Sequence, residues 1–269
     1  MRPLGVIGHL SRDIVAGAAP RIGGGPWYAG RALRLLGDDA VLFAKCGDSD
    51  RAQWQRSLAA IGLPASLSTG GETTAFSFSY DAAGTRTMNV DVVGEPWHLD
   101  EPPAGLLRRV ESLHVAPLLR SDFDAASLER IGLGRRLMLD AQGLVRVPEL
   151  GPLRLDADYD PDLLRHVAIL KLAEEEAHVL AGSSEPEALA ELGVPEVVLT
   201  LGIRGSVVIV HGRAEEIPAR PVDDAVDPTG TGDAFSSAYL SARTSGHAPS
   251  SAARRATALV AALLRGREP

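Results

Sequence analysis

Seven consecutive residues, Asp227-Pro228-Thr229-Gly230-Thr231-Gly232-Asp233, hold the densest chemistry in the chain, and a small-residue helical stretch, Ala234 to Leu240, follows them. Gly230 and Gly232 remove two side chains where a helix begins. Successive backbone N–H groups can then converge on an anion, reinforced by the partial positive charge of the helix N-terminus. An acidic side chain in a phosphate cradle would repel its ligand. Asp233 makes sense there if it receives the proton of a hydroxyl that attacks the bound phosphoryl group, as general base. The alternative is a carboxylate that only stabilises the helix start, for roughly 0.3–1 kcal/mol.

Such a cradle must be carried by a strand and helix framework, and the rest of the sequence supplies one. Leu4–Gly8 is a short apolar run that the polar stretch His9–Asp13 ends, so a buried strand followed by a loop is expected. Gly23-Gly24-Gly25-Pro26 opens a helix to Leu36 that Gly37 closes, with Pro26 in its first turn and Gly37 at C′. Ala40–Ala44 reads as the next strand and residues 51–61 as a helix. Further strands are predicted at Ser112–Val115, Arg136–Asp140, Ala168–Lys171, Glu196–Thr200 and Ser206–Val210, with helices between most of them. The fold class is therefore α/β, a doubly wound and mostly parallel sheet flanked by helices.

One segment breaks that alternation. Thr73–Tyr80 and Thr85–Val93 are rich in Thr, Phe and Val and flank Asp81-Ala82-Ala83-Gly84, the pattern of a β-hairpin. We read residues 1–269 as one domain with this small β-lid, about 70–97, inserted. Its exposed edge offers pairing with the lid of a second copy, a homodimer. Pro148–Pro161 reads as a polar connection.

The formal net charge of −8 argues against a protein that holds nucleic acid by charge. Cys46 is the only cysteine, which rules out an internal disulfide, a cysteine metal cluster and a CxxC redox pair and fits a reducing, cytoplasmic setting. No apolar run reaches the roughly 18 residues of a membrane span, and no partner in a membrane is expected. No GxSxG nucleophile elbow occurs, and the glycines at 23–25 lack the G-x-G-x-x-G spacing of a dinucleotide-binding oxidoreductase.

The 227–233 stretch resembles the D-[TP]-x-G-[AT]-G-D signature of the ribokinase-like, or PfkB, carbohydrate kinases. Gly23-Gly24 resembles that family's double glycine, Gly47-Asp48 its G-D element, and Asp13 falls where the family places a substrate-binding Asp. Lys171-Leu172-Ala173-Glu174-Glu175-Glu176 resembles its K-x-N-x-x-E element, and Thr200-Leu201-Gly202-Ile203-Arg204-Gly205 its T-x-G-x-x-G nucleotide loop. Leu139 to Arg146 looks like the D-x-Q-G-x-x-R stretch of the inositol kinase-like branch, and Pro228 points the same way.

The resemblance implies an ATP-dependent kinase for a small polyol, sugar or nucleoside, a cyclitol favoured. It places the acceptor under the lid against Asp13, Gly23, Gly24, Tyr28, Gln142 and Arg146. ATP is implied along Lys171, Thr200, Gly202, Gly205 and Thr229, its γ-phosphate in an anion hole of Gly230, Thr231 and Gly232 beside Asp233, with Mg²⁺ near Glu176 through water. Two residues depart from the family pattern. Ala173 replaces the usual Asn, which supports an alternative in which the chain is a catalytically impaired, ligand-binding or regulatory relative. Tyr28 replaces a frequent Asn, as a substrate contact or as a structural aromatic under the lid. Glu174, Glu175 and Glu176 could equally be a solvated cluster favoured by the helix dipole. His9, at the end of the first strand, reads as a loop histidine without a role, a substrate contact being the alternative, and a strand-capping Asp140 with a surface Arg146 stays open.

Overall fold

Apolar runs too continuous to alternate between core and water become the middle of a sheet covered on both faces. The computed structural model describes residues 3–15, 19–80, 86–98, 100–222 and 228–266. Its strands are β1 (Leu4–His9), β2 (Ser11–Val15), β3 (Arg21–Gly23), β4 (Ala40–Cys46), β5 (Ala65–Thr69), β6 (Ala75–Tyr80) and β7 (Arg86–Val92). They continue with β8 (Ser112–Ala116), β9 (Arg136–Asp140), β10 (Gly151–Pro152), β11 (Ile169–Ala173), β12 (Glu196–Thr200), β13 (Ser206–Val210) and β14 (Arg213–Ile217). The α-helices are α1 (Gly25–Leu36), α2 (Arg51–Ile61), α3 (Ala104–Leu107), α4 (Ala125–Gly132), α5 (Gln142–Val145), α6 (Glu174–Ala181), α7 (Pro186–Ala190), α8 (Thr231–Thr244) and α9 (Pro249–Arg265).

The main sheet has the order β14-β13-β12-β11-β9-β8-β1-β4-β5, parallel from β12 to β5 and antiparallel at β13 and β14. Successive side chains point to opposite faces. Ile7, Val41 and Phe43 accordingly join a core with Leu128 and Ile131 of α4 and Ala177 of α6. Val6, Leu42 and Ala44 join one with Leu33 of α1, Trp54 of α2, Tyr239 of α8 and Ala253 of α9. From β1 the chain builds outward through β4 and β5, then returns to β1's other side with β8. Open α/β sheets bind ligands at the carboxyl ends of strands beside such a reversal.

A second sheet, β10-β7-β6-β2-β3, accounts for two departures from the expectations. Ser11–Val15 is not loop but strand: one residue after β1 the chain enters β2, which pairs with β6 in parallel and with β3 antiparallel. The polar residues that end β1 thus start a strand whose partner is some 60 residues away in sequence, a pairing that local pattern does not encode. The 148–161 connection likewise contributes β10, paired to β7 through Val90 and Asn89. The expected hairpin is β6 and β7, flanked on both sides rather than bare. Phe76, Phe78 and Val90 pack it against Leu118 and Leu119. Its turn, Asp81 to Thr85, and Asp227 lie outside the described residues.

Candidate active site

The carboxyl ends of β9 and β11 and the start of α8 meet beside the β1–β8 reversal. Asp140 is the last residue of β9 and stands in register with Lys171 of β11. Helix α8 begins at Gly230, whose φ of +75° is the left-handed conformation that glycine adopts without penalty. Helix α1 starts alongside, so close that a β-carbon on Gly25 would stand 3.2 Å from Asp233 Oδ1. Both helices direct their unpaired first-turn amides and positive dipole ends into the same space.

That space is a cleft of about 210 Å³, partly open to solvent. Asp13, Gly24, Tyr28, Gln142, Arg146, Lys171, Glu176, Thr229, Gly230, Gly232 and Asp233 line it, with Phe76, Phe78 and Met88 of the second sheet across from them. Ser11 donates to Asp13 Oδ1 at 2.7 Å, and the Tyr28 hydroxyl lies 3.5 Å from Oδ2. Gly23 is not a wall but backs Asp13: a β-carbon there would collide with the carboxylate. Gln142 Nε2 donates to Pro117 O at 2.5 Å, which aims the amide's oxygen end away from that carbonyl.

Lys171 is buried, and its Nζ would lie 3.1 Å from a β-carbon on Gly232, directly behind the first turn of α8. Burial opposes its charge, yet Asp140, Glu176 and Asp233 raise its pKa above the ordinary lysine value. Asp233 is pushed up to about 6, first by burial and then by the Asp140 charge, against the opposing pull of His114, Lys171 and Arg146. Burial works the same way on Asp140, but Lys171, His114 and Ser236 hold its carboxyl below the usual range. Of these two carboxylates, the first proton therefore belongs to Asp233.

Other sequence-predicted residues lie elsewhere. The Thr231 amide and hydroxyl both donate to Pro228 O, at 3.1 and 2.7 Å, so neither is aimed at an anion. Thr200 donates to Leu172 O at 3.0 Å, and Gly202 and Gly205, at φ +59° and +103°, shape the turn before β13; none of the three walls the cleft. Arg204 of that turn pairs with Glu174. Glu176 reaches the cleft while its Oε2 accepts the Ala173 amide at 2.7 Å, an N-terminal cap for α6. Arg146 is half-buried in the cleft wall rather than on the surface.

His9, expected in a loop, ends β1 and is buried. Its Nε2 donates to Glu95 O at 2.8 Å and its Nδ1 lies 3.1 Å from Asp122 Oδ2. His114 was missed altogether: it is wholly buried, with Nε2 donating to Asp140 Oδ2 at 3.0 Å. A single histidine inside an apolar strand carries no signal of its partner.

Comparison with known proteins finds relatives both in sequence and in fold. The cytidine kinase of Thermococcus kodakarensis is 25% identical over 253 residues, covering 89% of this chain and 88% of that protein. A pyrophosphate-dependent kinase in the ribokinase family, solved with a pyrophosphate analog and myo-inositol, superposes with a TM-score of 0.83 at 23% identity, covering 99% of this chain and 96% of that one. The Arabidopsis thaliana ribokinase complexed with ribose and ATP gives a TM-score of 0.76 at 18% identity, covering 99% and 94%. The match that settles the family spans most of the chain: over residues 20–268 it fits the pfkB family of carbohydrate kinases, and the chain belongs to that family of phosphotransferases.

Proposed function

We propose that the protein transfers the γ-phosphate of ATP to a hydroxyl of a small polyhydroxylated acceptor, a cyclitol first, a furanose sugar second and a nucleoside third. One observation carries the reading: the glycine-rich start of α8, Asp233 and the acceptor-side groups Asp13, Tyr28, Gln142 and Arg146 share a single cleft. The cyclitol ranks first because Gln142 and Arg146, from the inositol kinase-like stretch, both line that cleft. The structural relative with bound myo-inositol agrees with the ranking.

In this reading the acceptor lies under the second sheet, which acts as a lid and excludes water. Asp233, half-buried and with a raised pKa, takes the proton from the attacking hydroxyl. The amides at the start of α8 and the Lys171 ammonium behind them receive the charge that grows on the transferring phosphoryl group. Among the described residues no group of three or more His, Cys, Asp or Glu could cage a metal. Glu176 fits a Mg²⁺ carried by the phosphates and held through water, and such an ion would neutralise phosphate charge.

Pyrophosphate is the second reading for the donor. Thr200, Gly202 and Gly205 stand outside the cleft walls, so the groups gathered around it address a phosphate rather than a base. The test is turnover with Mg²⁺ and either ATP or pyrophosphate across cyclitols, furanose sugars and nucleosides, with Asp233→Asn as control. Phosphorylation of a cyclitol with ATP, lost by roughly 10²–10⁴-fold in the variant, is expected. Turnover with pyrophosphate alone would replace the donor, and silence with both would favour a ligand-binding relative.

A further inference from the structure

Ser236 sits one helical turn beyond Asp233 on α8, and its hydroxyl donates to Asp140 Oδ1 at 2.7 Å. Residues three apart share a helix face, so this bond fixes the rotation of the turn that carries Asp233. The same Asp140 oxygen lies 4.0 Å from Lys171 Nζ, and the other accepts His114 Nε2 at 3.0 Å. His114 Nδ1 is buried with no partner among the described residues, so the bond to Asp140 is what orients the ring. One carboxylate, 1% exposed, thus gathers β8, β11 and α8 onto the end of β9.

A buried carboxylate is costly unless its partners need it, and each partner here serves the reacting region. Lys171 stands behind Gly232, and Ser236 belongs to the helix of Asp233. Asp140 itself lies in the cleft wall at 1% exposure, with both carboxylate oxygens already engaged by Ser236 and His114.

We propose that Asp140 is a positioning residue for phosphoryl transfer: it holds Lys171 and the start of α8 in register. Its negative charge also opposes the ionisation of Asp233. The proposal rests on the reading of Asp233 as that base. Charged and titratable groups around Asp233 are Asp140 from β9, His114 from β8, Lys171 from β11 and Arg146 after α5. Asp13 from β2, Tyr28 from α1 and Glu176 from α6 line the same cleft.

The test measures kcat against pH, both KM values and the melting temperature for Asp140→Asn, Ser236→Ala and Asp233→Asn. Asp140→Asn is expected to lose about 10²-fold in kcat, as for a misplaced reacting group, and to move the acid limb of its profile to lower pH. A residue that only stabilised the fold would leave that limb in place. Ser236→Ala, which keeps a helix-favouring residue and every charge, is expected to lose about tenfold in kcat with both KM values little changed. It carries the test if Asp140→Asn does not fold. Parental kcat in Ser236→Ala, or a folded Asp140→Asn with an unmoved acid limb, would overturn the proposal while an inactive Asp233→Asn left the base reading standing. Parental turnover in Asp233→Asn would bring down both.

Discussion

The ring of Tyr28 lies against the α-carbon of Gly230, so that any β-carbon at 230 would run into the ring. Helix α1 thereby braces the left-handed residue that opens α8. Two costs meet at this position, since a non-glycine residue at φ +75° loses about 1–2 kcal/mol and must also displace the ring. Gly230→Ala is expected to keep the fold and lose about 10²-fold in kcat, because the first-turn amides shift. Steady-state kinetics beside a thermal melt checks this; parental kcat would show that the brace has no part in turnover.

Tyr28 also faces the acceptor side, with its hydroxyl 3.5 Å from Asp13 Oδ2. Tyr28→Phe keeps the ring against Gly230 and removes only that hydroxyl. It should raise the acceptor KM several-fold and leave kcat nearly unchanged, whereas Tyr28→Ala should lower kcat as well. A Phe variant indistinguishable from its parent in KM would assign the residue to packing alone.

Asp233 gives the pH dependence. Its pKa is raised to about 6 in the folded protein, above the ordinary aspartate value near 4. The folded state therefore binds the proton more tightly than the unfolded chain. The stability contributed by the protonated form is full below about 4 and is lost as pH rises through about 6. Asp233→Asn should consequently melt higher than the parent at pH 7.5, with the difference shrinking at pH 4.5. Turnover runs the opposite way, falling as pH drops through about 6 because the base must be ionised. Equal melting temperatures of variant and parent at pH 7.5 would refute the raised pKa.

Much of this was legible in the sequence because the signals are local. Strands β9, β12 and β13 and helix α2 have the bounds that periodicity predicts, and Gly37 ends α1 at φ +72° as a C-terminal glycine should. The cleft residues Asp13, Tyr28, Gln142, Arg146 and Asp233 were found through motifs, each a short run. What local pattern could not show is pairing across long sequence distance. Strand β2 takes its partner from β6, and the buried polar side chains His9, Lys45 and Asp140 take theirs from residues 26 to 113 positions away. A polar residue at a strand end looks like the start of a loop until the group that receives it is known.

Lys45 shows how much such a hidden pair supports. It is the next-to-last residue of the buried strand β4, 1% exposed, and its Nζ donates to Pro96 O and to Glu101 Oε1, both at 2.7 Å. Glu101 in turn accepts the His98 amide at 2.7 Å, so this one ammonium gathers the segment that leads out of the second sheet. Replacing it by a methionine of similar length fills the volume but leaves Glu101 and the Pro96 carbonyl without their cation. Removing one partner of a buried pair costs about 3 kcal/mol. Lys45→Met should lower the unfolding free energy from urea titration by that amount, read as a lower midpoint with the slope unchanged, as expected when the native state alone is weakened. An unfolding free energy within about 0.5 kcal/mol of the parent's would mean that the segment is held by its apolar contacts, chiefly Trp97 stacked on Phe123, and that the ion pair contributes little.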